Sequence, residues 1–306
     1  MDKFFPTLVP SILLAGILLG ERLAGAQGSV PWIFAGITFV GSLKMDLKTL
    51  RETLMEPKPL LLTLLVLRVL MPIWAFGAGF LLFPGNAYTR MGLILFSLIP
   101  VGVNSVIWAV MFKGNIPLSL SVVLIDTVLS PLVLPVSLIF LTGTRVELDV
   151  LGLMSSLLWM VVIPSILGIA VNQFTKGGFS QKWFPRLSPY SRVGLLIVIL
   201  INGASVSDYF STVDLNLLKI MATVFMLASS GYAMAWALAF ISKLKKEETL
   251  TVVFSGGMRN VGTGIVIAVA YFPAEAAIPV ITGILFQQII CSYFASKMTK
   301  YYQNLS

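Results

Sequence analysis

A hydrophobic segment that crosses a bilayer must close its backbone hydrogen bonds within itself, because hydrocarbon satisfies none of them. Two apolar segments of this chain are interrupted halfway by polar residues and glycine, at Pro100-Val-Gly-Val-Asn104-Ser105 and at Ser255-Gly-Gly-Met-Arg259-Asn260. The two interruptions lie about half the chain apart. A break at membrane depth frees N–H and C=O groups, and it survives only where it is buried in protein or lines a cavity. A matched pair, one per half, points to a binding site near the bilayer midplane, built from discontinuous helices.

The segments around the breaks support a membrane location. Of 306 residues, 57% are hydrophobic and 11% are charged, against roughly 25% charged in an average soluble domain. The absence of histidine and the lone Cys291 exclude a disulfide framework and a His or Cys metal site. With no histidine and one aspartate at membrane depth, the nucleophile–base and paired-carboxylate arrangements of enzymes are missing, so catalysis is not expected. The net charge of +8 falls between apolar segments and reflects membrane orientation, not a nucleic-acid partner. The N-terminal Met-Asp-Lys-Phe-Phe-Pro run leads into an apolar stretch without a small-residue cleavage site, so that stretch is expected to remain as a helix.

Segments of spanning length fall at about 7–26, 31–47, 59–83, 88–112, 116–142, 148–173, 190–207, 216–242, 249–272 and 276–297. The expected fold is therefore an all-α integral membrane protein of ten transmembrane helices. Five helices precede the polar turn Thr142-Gly-Thr-Arg-Val-Glu-Leu-Asp149 and five follow it. An odd number per half inverts the second half, giving a single transporter domain over residues 1–306. Its repeats cover about 1–142 and about 148–303, with the breaks in helices 4 and 9. One side of the membrane collects Lys3, Lys44, Lys48, Arg51, Lys58, Lys113, Lys176, Lys182, Arg186, Arg192, Lys243, Lys245, Lys246, Lys297 and Lys300. The other holds Arg22, Arg90, Arg145 and Lys219. The positive-inside rule then places both termini in the cytoplasm. The mixed segment Phe174–Pro189 reads as a cytoplasmic interfacial loop, with Trp183 at headgroup level.

Three charges remain at hydrocarbon depth: Arg68, Asp126 and Arg259. Each costs about 2.5–3.5 kcal/mol at a helix centre, so such residues pair with one another or bind a solute. Arg68 is expected as a partner of Asp126, which stands either as a structural ion-pair member or as a proton-coupling group. Arg259 sits in the second break itself, where a guanidinium can take a carboxylate bidentately. Asn104, Ser105, Ser255, Asn260 and Thr263 coordinate a cation, bind substrate, or only cap the broken ends. Ser119 joins them from the start of helix 5. The half-helix N-termini after the breaks suit an anion. Pro117, Pro131 and Pro135 shape the curvature of helix 5.

These residues resemble the bile acid:sodium symporter superfamily, and the chain looks like a divergent bacterial member, similar to homologues of the apical sodium-dependent bile acid transporter. The likeness runs through Gly41-Ser-Leu-Lys-Met-Asp46, Met71-Pro72, Pro100-Val-Gly, Lys113-Gly-Asn-Ile-Pro-Leu-Ser119, Leu129-Ser-Pro-Leu-Val-Leu-Pro135 and Gly257-Met258-Arg259-Asn260-Val-Gly262. The resemblance implies helices 4 and 9 unwound and crossing at the midplane. It also implies a panel of helices 1, 2, 6 and 7 moving against a core of helices 3–5 and 8–10. Members carry organic anions such as bile acids, sulfated steroids, pantoate or keto acids, usually with sodium; auxin efflux and arsenite carriers are more distant. The sequence departs from the family at its sodium ligands. Ser255 stands where members with two sodium ions have glutamate, and Arg259 where they have glutamine. Val106 replaces the asparagine of a Ser-Asn pair, Val123 a threonine, and Leu67 a glutamine. What remains at Ser105, Ser119 and Ser255 is a degenerate sodium set. Sodium coupling is therefore disfavoured, with Arg259 as a tethered cation in an ion's position and a proton on Asp126 as the other coupling candidate.

The expected activity is secondary transport of a small organic anion across the cytoplasmic membrane, by a monomer, without a cofactor. The alternatives are a membrane sensor or binding protein that uses the fold without turnover, and a carrier closer to the auxin efflux type. A channel would show rings of like charge or repeated filter sequences, and neither is present.

Overall fold

The computed structural model describes residues 5–45, 47–142, 149–204, 207 and 214–303. Among these residues the chain is helical, apart from one isolated β-bridge. The helices are α1 (Phe5–Leu19), α2 (Val30–Ser42), α3 (Leu47–Met55), α4 (Lys58–Leu82), α5 (Ala87–Leu98), α6 (Asn104–Met111), α7 (Ile116–Thr142), α8 (Val150–Phe174), α9 (Gly178–Ala204), α10 (Leu215–Ile241), α11 (Lys246–Gly257), α12 (Val261–Tyr271) and α13 (Ala274–Gln303). Six of them, α4, α7, α8, α9, α10 and α13, are long and apolar enough to cross a membrane. Lys3, Asp46, Arg145 and most of the polar turn between the halves lie outside the described residues.

The other four expected spans are shorter, for local reasons. Helix α1 stops at Leu19 because Gly20 adopts a left-handed φ of 53°, and a 3₁₀ run from Gly20 to Ser29 leads to α2. Spans 4 and 9 each appear as a pair of half-helices, α5 with α6 and α11 with α12. Two long helices widen where a proline lacks its N–H. In α4 a π turn at Val66–Leu70 precedes Pro72, and in α8 one at Leu158–Val162 precedes Pro164.

One expectation is corrected. The stretch 178–189 is helix, not loop: α9 starts at Gly178 and carries Pro185 and Pro189 inside it. Contacts at helical spacing hold it. The rings of Phe179 and Trp183 lie 6.0 Å apart, and the Arg186 guanidinium sits over Trp183. Helix α3 is amphipathic and too short to span, so hydropathy does not mark it. The Lys113-Gly-Asn115 motif turns out to be a helix stop followed by a start. Lys113 takes φ 60° and the Gly114 N–H closes onto Ala109 O at 2.7 Å. Asn115 then accepts from Leu118 N at 2.9 Å and ties this corner to α11 through its N–H on Glu247 O at 3.0 Å.

Helices α1, α2, α8 and α9 pack on one another; α4, α5, α10, α11 and α13 form a second set, with α6 and α7 packed against α11. Helices α7 and α13 are the most enclosed of the long helices. Small residues set the closest approaches, as in membrane bundles generally. A Cβ on Gly257 would lie 2.3 Å from the Tyr232 ring, whereas Gly77 faces open space. Gly257→Ala should therefore destabilise by about 1–3 kcal/mol, seen as a lower thermal midpoint in detergent, while Gly77→Ala does not lower it. Equal midpoints would refute the close approach of α10 and α11.

Candidate functional site at the helix crossing

The site begins with two failures of helix propagation. Helix α5 ends at Leu98, Ile99 turns to ψ 134° before Pro100, and α6 resumes at Asn104. Helix α11 ends at Gly257, Met258 is extended, and Asn260 restarts the chain as N-cap of α12 by accepting from Thr263 N at 3.3 Å. The two extended stretches lie antiparallel, bridged at Val101 and Arg259. Asn260 N–H donates to Pro100 O at 2.7 Å, and Gly102 N–H to Met258 O at 3.4 Å. Only glycine fits at 102, since a Cβ there would lie 2.9 Å from Arg259 O.

The groups that this bridge leaves free are taken by side chains from neighbouring helices. Asp126 on α7 accepts from Val101 N–H through Oδ2 at 2.7 Å and from Arg68 Nε through Oδ1 at 2.6 Å. Arg68, in the π turn of α4, also donates to Leu98 O at 2.7 Å and to Asp126 O at 3.0 Å. The ion pair thus closes both sides of the first break. Arg259, 3% exposed, donates from its backbone N–H to Gln287 Oε1 on α13 at 2.9 Å. Its guanidinium reaches across the crossing, Nε to Ser97 O at 3.2 Å and Nη1 to Gly256 O at 2.9 Å and Met258 O at 3.4 Å. Of this guanidinium, expected as a fork for a carboxylate, Nε and Nη1 face helix-end carbonyls.

Several buried polar atoms have no partner. They include the hydroxyls of Ser105 on α6, Ser119 on α7 and Ser255 on α11, three helices that pack on one another. The hydroxyl of Thr263 on α12 and both amide atoms of Asn202 on α9 are also unpartnered. Such groups cost about 1–3 kcal/mol each unless something binds them. Helices α9 and α12 meet where Gly262 approaches Leu195 and Phe34, so Asn202, two turns beyond Leu195, lies on the α9 face turned to α12. Asn104 is half-buried at the start of α6, and Met258 is buried with Sδ 3.9 Å from Cys291 Sγ.

Among the described residues no group of three or more His, Cys, Asp or Glu could hold a metal ion. Both oxygens of Asp126 are committed, to Arg68 and to the Val101 N–H. Reading the sequence missed Gln287 and Asn202, although each is a polar residue within an apolar run and so gave a signal. Ser97 gave none, because it acts through its carbonyl.

A pair of broken helices crossing inside an all-helical membrane protein defines a class, that of the membrane transporters. Residues 34–213 match the Sodium Bile acid symporter family, and the chain belongs to that family. It is 45% identical over 296 residues to the protein YbaS of Bacillus subtilis, with 97% of each chain covered. It is 27% identical over 249 residues to YocS of the same organism, described as an uncharacterized sodium-dependent transporter, with 81% of this chain and 76% of YocS covered. The arsenical-resistance protein Acr3 of Corynebacterium glutamicum is 21% identical over 334 residues, covering 94% and 89% of the two chains. The family is one of symporters and YocS is described as a transporter, and neither description is that of an enzyme.

Asp126→Asn would leave Arg68 as an uncompensated buried cation, a loss of about 3–5 kcal/mol. Thermal unfolding should show a large drop, and a double-mutant cycle with Arg68→Met should give strong coupling. Additive effects would mean that the two side chains do not form a unit.

Proposed function

We propose that this chain is a secondary transporter that moves a small organic anion across the cytoplasmic membrane by alternating access. The anion is of the bile-acid-like, pantoate-like or keto acid class. The observation that carries this reading is the crossing: the half-helices α6 and α12 both start there, beside buried hydroxyls without partners. Helix N-termini favour negative charge and offer free N–H groups to a carboxylate.

The ten spans form two inverted five-helix repeats, with both termini cytoplasmic, as the distribution of lysine and arginine requires. Helices α1, α2, α8 and α9 act as a panel, and α4–α7 with α10–α13 as the core that moves against it. Asn104, Asn260 and Thr263 meet the substrate from the core, and Asn202 from the panel. Asp126 and Arg68 cancel, so Arg259 leaves the core one positive charge that attracts an anion without touching it. Because Asp126 is bonded through both oxygens, exchange or passive movement accounts for the coupling better than a proton carried on that residue.

The test is uptake of radiolabelled pantoate, pyruvate and taurocholate into proteoliposomes. Saturable uptake of at least one is expected, falling about tenfold in Asn260→Ala, the loss of roughly 1.4 kcal/mol of binding. Uptake no faster than into protein-free liposomes for all three would sink the reading.

A further inference from the structure

At the crossing the C-terminal ends of α5 and α11 point at one place. A helix C-terminus carries about half a negative charge in its free carbonyls. Two of them facing each other make a position for a cation, and in broken-helix transporters such ends coordinate the coupling ion. Here the position is filled from within. The Arg259 guanidinium bonds Ser97 O at the end of α5 and Gly256 O at the end of α11, at 3.2 and 2.9 Å. Its backbone is fixed independently, by the bridge to Val101 and the 2.9 Å bond to Gln287. The side chain is therefore anchored at its root as well as at its tip.

Among the described residues the surroundings offer a metal ion no uncommitted carboxylate. Four residues before Arg259, the buried Ser255 contributes a neutral hydroxyl. The carboxylate that reaches the crossing, Asp126, is held by Arg68 at 2.6 Å and by Val101 N–H at 2.7 Å. An ion entering here would meet a fixed positive charge in a medium of low dielectric constant, with no anionic ligand to offset it.

We propose that Arg259 is a resident cation, occupying the place between the two half-helix ends that sodium takes in sodium-coupled carriers of this build. The crossing is then organised for its anion without sodium, and transport is sodium-independent in a family named for that ion. This rests on the transporter reading for its physiological meaning, but the test reads sodium alone.

Thermal unfolding of the purified full chain in detergent is compared in sodium chloride and in potassium chloride at equal ionic strength. The wild type should unfold at the same temperature in both. Arg259→Gln, which removes the charge, should acquire a sodium-selective rise of about 2 °C or more, as expected for a ligand that binds only the folded state. A sodium-selective rise in the wild type would overturn the inference while leaving the anion-uptake result untouched. A Gln variant that folds but stays blind to sodium would overturn it too, since the position would then not be a cation site. Should Arg259→Gln fail to fold, Arg259→Lys keeps the charge: it should remain blind to sodium, and a sodium-selective rise in that variant would contradict the proposal.

Discussion

Everything at the centre of this protein answers one demand: two helices broken in hydrocarbon must have their backbone groups satisfied. They do part of this for each other, through the antiparallel contact of Pro100–Gly102 with Met258–Asn260. More is supplied from three directions, by Arg68 on α4, Asp126 on α7 and Gln287 on α13, and from within by the Arg259 guanidinium. The placement of those helices follows from that need. The π turn before Pro72 carries Arg68, and α7 and α13 are the most enclosed of the long helices. The core is thus assembled around the breaks, with the small residues of α10 and α11 allowing the approach.

The two buried arginines do related work in different ways. Arg68 is neutralised by Asp126, and the pair binds one carbonyl and one N–H of the first break. Arg259 has helix-end carbonyls for partners, so it joins the two breaks and leaves the core with a positive charge. Arginine suits this role because its donors are fixed in a planar fork and its charge is permanent. A bound metal ion can leave; a side chain cannot. That difference separates a crossing organised by an exchangeable ion from one organised by the chain itself.

Much of this was legible in the sequence, for identifiable reasons. The breaks announce themselves because proline, glycine and polar residues interrupt apolar runs, and Arg68, Asp126 and Arg259 are conspicuous at membrane depth. The first turns of α9 were not legible, because Pro185 and Pro189 read as loop, while the ring and cation contacts that keep the segment helical are spatial. Helix α3 lacked hydropathy. The direction of the Arg259 guanidinium was beyond the sequence, since it depends on the carbonyl of Ser97, 162 residues away. Gln287 and Asn202 were within reach of the same polar-in-apolar reasoning that found Asp126.

Amide hydrogen exchange over residues 97–105 and 255–264, followed in sodium-free buffer and again with sodium, reads the state of the crossing most directly. If the arginines and the backbone bridge hold it, the amides of Val101, Arg259 and Asn260 are strongly protected without sodium and gain nothing from it. Rapid exchange of these amides that slows only when sodium is added would contradict a crossing organised by the chain itself.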